Sequence, residues 1–305
     1  MIPPGTLKRW KVIKLYKRAK KRIKKYLKVD FDSLELLFQD NDRNEVLRTN
    51  VIQGIPYRKQ RKGGKISYAE WAHVIGIFQT LIYQNLKQKN DNIILDVGCG
   101  TGLLSMACQG VVQENGYYLG IDVIEQNIRF CKNHYKDKDH LRFQHFDVNN
   151  AMYSRENNQF RKQWPVEDEI MDMVTALSVW THLNEEDALF YFKEIHRVLK
   201  KGGNAIVTFF YLDELYFNSL DKRKDEKGRF HNTNQLEWIF NTPAYNSENW
   251  LYPKRLKIPE NAIGITKKAL DKLLMHSGLT LIEYYPGNWK EQPGIYFQDV
   301  LVFQK

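Results

Sequence analysis

Cysteine is scarce in this chain of 305 residues, and the three that occur form no CxxC pair. Neither a disulfide framework nor a zinc site of paired cysteines is therefore predicted, which favours a reducing, cytoplasmic location. Long apolar runs are also missing: the mean hydropathy is -0.55, which argues against a set of membrane-spanning segments. With 43% hydrophobic and 27% charged residues, the composition is that of a folded globular protein.

Acidic residues are absent from the first 28 positions, which carry twelve lysines and arginines. The net charge of +10 belongs to this segment, because the rest of the chain has 34 basic and 36 acidic residues. Apolar residues recur there at helical spacing, so residues 1–29 are predicted to form a basic amphipathic arm. Such an arm suits an anionic membrane surface. Packing on the protein itself or against another subunit, and RNA binding, are the open alternatives, nucleic acid being the less favoured partner.

Residues 30–90 are predicted to form a mostly helical lead-in, with one helix in the apolar-rich stretch from Tyr68 to Leu86. From residue 91 onwards strands and helices alternate, which is typical of a parallel sheet covered by helices on both faces. Two late strands predict an antiparallel pair at the edge of this sheet. The connections 149–170 and 213–262 are unusually long. The second is expected to cover a site, and its aromatic residues indicate a lid core more than a stacking platform.

The strongest local signal is the sequence from Asp96 to Gly102, DVGCGTG, where a predicted strand ends and a helix begins. Glycines there let the backbone turn sharply and approach a ligand closely. Asp96 would repel the pyrophosphate of a dinucleotide. It is compatible with S-adenosylmethionine, which carries an ammonium and a sulfonium and no phosphate. The next strand ends carry Asp122, placed for both ribose hydroxyls, and Asp147 with Val148, placed for adenine.

These motifs resemble those of class I S-adenosylmethionine-dependent methyltransferases. LDVGCGTG (95–102) is similar to the family's first motif, GIDV (120–123) to its acidic second and FDV (146–148) to its third. The resemblance implies an α/β Rossmann-like fold over 91–305, with a seven-stranded sheet, helices on both faces, a helical N-terminal extension and an inserted lid at 213–262. The implied residues around S-adenosylmethionine are Asp96, Gly98, Cys99, Gly100, Gly102, Asp122, Val123, Asp147 and Val148, with Cys99 as a small filler of the loop.

The acceptor is expected to bind near the loop after the fourth strand, LSVWTHLN (177–184). This loop lacks the Pro-Pro-aromatic tetrapeptide of enzymes that methylate base amino groups, and no proline precedes a cysteine as in the cytosine-C5 enzymes. The chain more particularly resembles methyltransferases of bacterial surface-glycan and sugar biosynthesis. The resemblance implies methylation of a sugar hydroxyl in a glycan or lipid-linked glycan, and the segments that carry it are SVWTH (178–182), TFF (208–210), PENA (259–262), GNW (287–289) and QD (298–299).

His182 is the predicted catalytic base, because it follows the fourth strand and a neutral imidazole accepts a proton near pH 7. The alternative is a histidine that hydrogen-bonds a loop carbonyl or positions the cofactor. No clustered metal-ligand spacing occurs, so no metal is predicted. Three other functions stay open: RNA methylation through the arm, methylation of a small molecule or lipid, and a non-catalytic cofactor-binding scaffold.

Overall fold

The computed structural model describes residues 51–62, 65–113, 115–148 and 161–305. The predicted arm, the first part of the lead-in and most of the first long connection lie outside the described residues. Attachment of the arm to a membrane, to the protein itself or to RNA therefore stays a prediction. No helix in the described ranges is long and apolar enough to cross a bilayer.

The chain divides into two units, Met1–Gln53 and Gly54–Lys305. The second unit begins well before residue 91, where the sequence places the start of the methyltransferase domain. It takes in the predicted helix α1 (Tyr68–Gln84), whose first turn is capped by Ser67. The Ser67 side chain accepts a hydrogen bond from the Glu70 N–H over 3.1 Å. This helix packs against α2 (Leu103–Cys108), so the end of the lead-in belongs to the same core as the sheet.

One sheet holds all of the strands of the described chain. In chain order they are β1 (Ile93–Val97), β2 (Tyr117–Asp122), β3 (Leu141–His145), β4 (Met171–Ala176), β5 (Leu199–Leu212), β6 (Phe240–Ala244), β7 (Ser247–Pro253), β8 (Gly264–Thr266), β9 (Thr280–Tyr285) and β10 (Asp299–Gln304). The first five are parallel, in the order β3-β2-β1-β4-β5, and β10 follows antiparallel between β5 and β9. These seven strands form the predicted Rossmann-like α/β fold, with the late antiparallel pair at its edge.

Helices connect the strands and carry the expected end signals. The remaining helices are α3 (Glu125–His134), α4 (Glu185–Val198), α5 (Glu214–Leu220) and α6 (Lys267–Ser277). At the start of α4, the Asn184 side chain accepts a hydrogen bond from the Asp187 N–H over 2.9 Å. At the end of α6, Gly278 takes the left-handed conformation that favours glycine. Helix α4 packs against α6, and α3 packs against β2 and β3, which buries the apolar sheet.

Two strands of the insertion 213–262, β6 and β7, extend the sheet. The last residues of β5 pair in parallel with β8, which continues antiparallel to β7 and then β6. The predicted count of seven strands is thereby corrected to ten. The pattern of strand-like residues in this stretch is short and interrupted, so periodicity alone did not indicate it. Tyr216 and Phe240 of the insertion are buried against Trp289, whereas Phe217 and Tyr245 are exposed, and a role of the insertion as a lid stays a prediction.

Candidate active site

Three glycines shape the loop between β1 and α2. Gly98, Gly100 and Gly102 have φ angles of +68°, +55° and +88°, which L side chains rarely adopt. A Cβ atom at Gly98 would also lie 2.6 Å from a methyl carbon of Val179. The loop therefore needs glycine both for its turn and for its close approach to the segment after β4.

Asp122 ties this loop to the end of β2. Its Oδ2 accepts a hydrogen bond from the Gly100 N–H over 2.8 Å, and its Oδ1 accepts one from the Ile124 N–H over 2.7 Å. The carboxyl is 8% exposed. Burial raises the pKa of Asp122, although both backbone hydrogen bonds oppose that change. The predicted ribose-binding residue thus also holds the glycine-rich loop in place.

Asp96 is a buried carboxyl at the end of β1. It is 2% exposed and accepts hydrogen bonds from the Tyr118 hydroxyl over 2.5 Å and the Thr175 hydroxyl over 2.9 Å. Burial raises the pKa of Asp96 to about 7, because desolvation outweighs these two hydrogen bonds. Because this carboxyl is buried, its ionised form is stabilised by a cation that lies next to it. The site therefore suits a ligand that carries an ammonium group.

The loop, the ends of β1 and β2 and the segment after β4 border one cavity of about 1280 Å³. Seven of the nine predicted cofactor residues line it: Asp96, Gly98, Cys99, Gly100, Asp122, Val123 and Val148. The other two lie elsewhere. Gly102 caps the start of α2, with Tyr135 against it, and Asp147 is exposed. Of the two residues predicted to contact adenine, the structure therefore places Val148, and not Asp147, at the cavity.

Aromatic residues that the motif analysis did not name complete this side of the cavity. Phe146, Trp164 and Tyr191 line it together with Val148. The rings of Trp164 and Tyr191 stack with centroids 5.7 Å apart and planes 9° apart. Phe146 could have been predicted from the sequence, because it immediately precedes Asp147 in the third motif. Trp164 comes from the long connection 149–170, where no local signal indicated it.

His182 lies in a short 3-10 turn, Trp180–His182, and also lines the cavity. Its Nδ1 lies 2.5 Å from the backbone oxygen of Glu260. A carbonyl oxygen only accepts, so Nδ1 carries the proton and Nε2 is the basic nitrogen of the neutral ring. Burial lowers the pKa of His182 from its ordinary value. The ring is therefore neutral at pH 7, in one tautomer, as a general base requires.

Aromatic residues from β5, the insertion and the segment before β10 form another wall of the same cavity. Phe210 of β5, Trp238 and Phe297 lie there, with ring centroids 5.0 to 5.9 Å from one another. His231 lies on this wall too, and its Nε2 is 2.6 Å from a carboxylate oxygen of Glu291. In the described part of the chain, no three His, Cys, Asp or Glu side chains are placed to hold a metal ion. Together, the glycine-rich loop and the aromatic wall give the cavity one polar, glycine-lined end and one aromatic end.

The sequence also matches known proteins. Residues 94–203 match the profile of a family described as methyltransferase domain. Two curated relatives are demethylmenaquinone methyltransferases of Staphylococcus saprophyticus and Staphylococcus aureus, each 26% identical over 167 residues. The match covers 55% of this chain and 64% and 61% of these relatives, which is less than two thirds of their length.

Solved structures resemble this chain as well. The PH0226 protein of Pyrococcus horikoshii is 20% identical, with a TM-score of 0.48, over 77% of this chain and 91% of that chain. Magnesium protoporphyrin IX methyltransferase of Synechocystis, solved with bound SAH, is 12% identical, with a TM-score of 0.48, over 89% of this chain and 99% of that chain.

The strand order and the glycine-rich loop form the predicted Rossmann-like fold, and the part of it from residue 94 to residue 203 is similar to a known methyltransferase domain. The cofactor of this domain is S-adenosylmethionine. The cavity fits that molecule, because it offers a buried carboxyl for the ammonium group, Asp122 for the ribose and an aromatic wall for adenine.

The pKa of Asp96 predicts a pH dependence of cofactor binding. The cation of the cofactor favours the ionised carboxyl, so binding is expected to strengthen as the pH rises towards about 7, the pKa of Asp96 in the free protein. Between pH 5.5 and 7, below the range of about 7.7–8.0 in which an α-amino group titrates, we expect Kd to fall about tenfold. Calorimetric titration with S-adenosylmethionine measures this change. In Asp96→Asn the profile is expected to flatten; an unchanged profile in that variant would assign the effect to another group.

Proposed function

We propose that this protein transfers a methyl group from S-adenosylmethionine to a hydroxyl group of a sugar, in a glycan or a lipid-linked glycan. One observation carries the proposal: His182, neutral and held in one tautomer, lines the cavity that the glycine-rich loop also borders. A hydroxyl is a weak nucleophile and gains from proton removal as it reacts. A base of this kind beside the cofactor loop is what methylation on oxygen needs.

The proposed step is a single in-line displacement. The cofactor, when bound, supplies a methyl group on a positively charged sulfur. The acceptor oxygen forms the new bond to that methyl carbon as the carbon–sulfur bond breaks. The hydroxyl proton passes to Nε2 of His182, while Nδ1 keeps its hydrogen bond to Glu260. The buried walls, including Trp180 and Thr181, exclude water and fix the acceptor.

The aromatic end of the cavity supports a ring-shaped acceptor. Pockets of this kind gain affinity from apolar and aromatic walls and specificity from a few polar groups. Trp238 and Phe297, which are both partly exposed, offer ring faces on which the C–H face of a sugar ring can pack, and the buried Phe210 lies behind them. The same faces suit a flat quinone ring, and the curated relatives are named for demethylmenaquinone. A quinone acceptor is therefore the rival that the experiment must separate.

Transfer of radioactive methyl groups tests the proposal. We expect the purified protein to move label from S-adenosylmethionine to members of a panel of p-nitrophenyl glycosides and sugar nucleotides, and not to demethylmenaquinone or RNA. Asp122→Ala is expected to abolish both cofactor binding and transfer, because it loses the carboxyl at the ribose and the anchor of the glycine loop. The exposed Asp137→Asn serves as the control and is expected to act like the wild type. Label found only in the quinone or in RNA, or cofactor binding without turnover, would refute a sugar acceptor.

A further inference from the structure

Three segments that lie far apart in the sequence meet beside the cavity. They are Ser178 in the loop after β4, Thr208 in β5 and Gln298, which immediately precedes β10. Oε1 of Gln298 lies 2.8 Å from the hydroxyl oxygens of both Ser178 and Thr208. All three come from segments that carried the sequence resemblance to sugar methyltransferases, and the proposed reaction above assigns none of them a role.

The hydrogen bonds of this cluster place Oε1 of Gln298 against both hydroxyls. The Thr208 hydroxyl accepts from the Ser178 N–H over 2.7 Å and donates to Oε1 of Gln298. The Ser178 hydroxyl donates to the same oxygen. Nε2, with its two hydrogens, is consequently turned away from both hydroxyls. Within the described ranges no group accepts a hydrogen bond from it, and the side chain lines the cavity.

Two features indicate that this arrangement serves a ligand. Gln298 is only 6% exposed, and its Nε2 is not one of the fully enclosed polar atoms that lack a partner, so the small exposed part of this side chain opens on the cavity that it lines. Ser178 has a φ angle of +60°, which is unfavourable for serine. Such strain persists where the surrounding structure enforces it, and it concentrates at functional sites. Here it directs the Ser178 N–H to Thr208 and its hydroxyl to Gln298.

The position of Gln298 places it on the acceptor side of the cavity. In the sheet order β1-β4-β5-β10, it lies three strands from the glycine loop that follows β1, about 14 Å away at the usual strand spacing. Its neighbour Phe297 belongs to the aromatic wall with Phe210 and Trp238. Ser178 is on the same loop as His182. A hydrogen-bond donor that lies between the aromatic wall and the loop carrying His182 suits an acceptor whose ring bears oxygen atoms.

We propose that Gln298 binds the acceptor through Nε2, which donates to an oxygen next to the hydroxyl that is methylated. Ser178 and Thr208 are the positioning residues that hold the amide in this orientation. The ligand class is a ring compound with neighbouring oxygens, such as a sugar with adjacent hydroxyls. This inference rests on the proposed function, because it takes the methyl-transfer reaction from there. It adds Gln298 as the residue that selects the acceptor.

The variant Gln298→Glu provides the sharpest test. Glutamate has nearly the same shape and still accepts from both hydroxyls, but it loses the N–H donors. With the best p-nitrophenyl glycoside of the panel as acceptor, we expect KM to rise about 10-fold or more, while Kd for S-adenosylmethionine changes less than about twofold. Thr208→Val, which frees the amide, is expected to raise KM about 3- to 10-fold. Gln304→Glu, at the far end of β10, where the side chain is bonded to Asn204, is the matched control and is expected to leave KM unchanged.

A measurement without turnover separates this inference from the proposed function. In protein labelled with ¹⁵N-glutamine and saturated with S-adenosylhomocysteine, the Gln298 side-chain signal is identified by its loss in Gln298→Glu. We expect p-nitrophenyl glycosides to shift this signal. A shift without methyl transfer would refute the reaction and support the acceptor contact. Turnover with an equal KM in Gln298→Glu and Gln304→Glu, or no shift with any glycoside, would overturn the inference.

Discussion

His182→Ala is expected to lower kcat for methyl transfer about 10²- to 10³-fold, with Kd for S-adenosylmethionine within about twofold of the wild type. The imidazole is the proposed acceptor of the hydroxyl proton, and its tautomer is set by the hydrogen bond from Nδ1 to Glu260. The loss is therefore expected in the chemical step and not in cofactor affinity. Steady-state transfer at saturating cofactor and acceptor gives kcat, rapid quench gives the rate of the chemical step itself, and exogenous imidazole is expected to restore part of both.

The pH profile of kcat separates a base from a structural histidine. Burial lowers the pKa of His182 below its ordinary value of 6.5, so the wild type is expected to stay active at pH 6.5 and lose activity only in more acidic solution. Saturating cofactor removes the contribution of Asp96 to this profile. His182→Ala is expected to lack the acidic decline. The control is His196→Ala, because burial also lowers the pKa of His196 but this residue does not line the cavity. Equal losses of kcat and cofactor affinity in His182→Ala would instead assign His182 to cofactor positioning.

The parts of the fold that sequence predicts are those that local chemistry determines. Helix α1 was predicted because its apolar residues recur at helical spacing, and the structure buries them as one face, with Trp71 and Phe78 inside. The loop from Gly98 to Gly102 was predicted because only glycine takes its φ angles freely. In both cases a short stretch of chain carries all of the information.

The parts that sequence does not predict depend on contacts between distant residues. Gln298 meets residues 120 and 90 positions away, and no spacing rule links them. His182 was predicted from its place after β4, but the carbonyl that sets its tautomer belongs to Glu260, 78 residues later. Strand β7 pairs with β6 and with β8, and β8 pairs with the last residues of β5, which extend beyond the main sheet. Such features follow from the assembled core, so a single sequence does not show them.

A buried cluster of charged residues, which includes Asp299 next to Gln298, also joins residues that are far apart in the sequence. Lys290 has a side chain with no exposed surface, and its Nζ lies 2.8 Å from carboxylate oxygens of both Asp213 and Asp299. Asp299 also accepts hydrogen bonds from the Gly287 N–H over 2.8 Å and the Trp289 indole N–H over 2.9 Å. The GNW and QD segments, which carried the resemblance to sugar methyltransferases, thus meet here in a structural role.

Asp299→Ala is therefore expected to lower the free energy of unfolding by about 3–5 kcal/mol, since it leaves the buried Lys290 with only one of its two charge partners. Urea denaturation followed by far-UV circular dichroism measures the change. The matched control is Asp271→Ala, which breaks the exposed pair with Lys267 and is expected to change stability by at most about 1 kcal/mol. If the buried charge is the cause, Lys290→Met added to Asp299→Ala recovers part of the loss, because methionine fills the space without a charge. A double variant no more stable than Asp299→Ala alone would instead place the loss in the hydrogen bonds to Gly287 and Trp289.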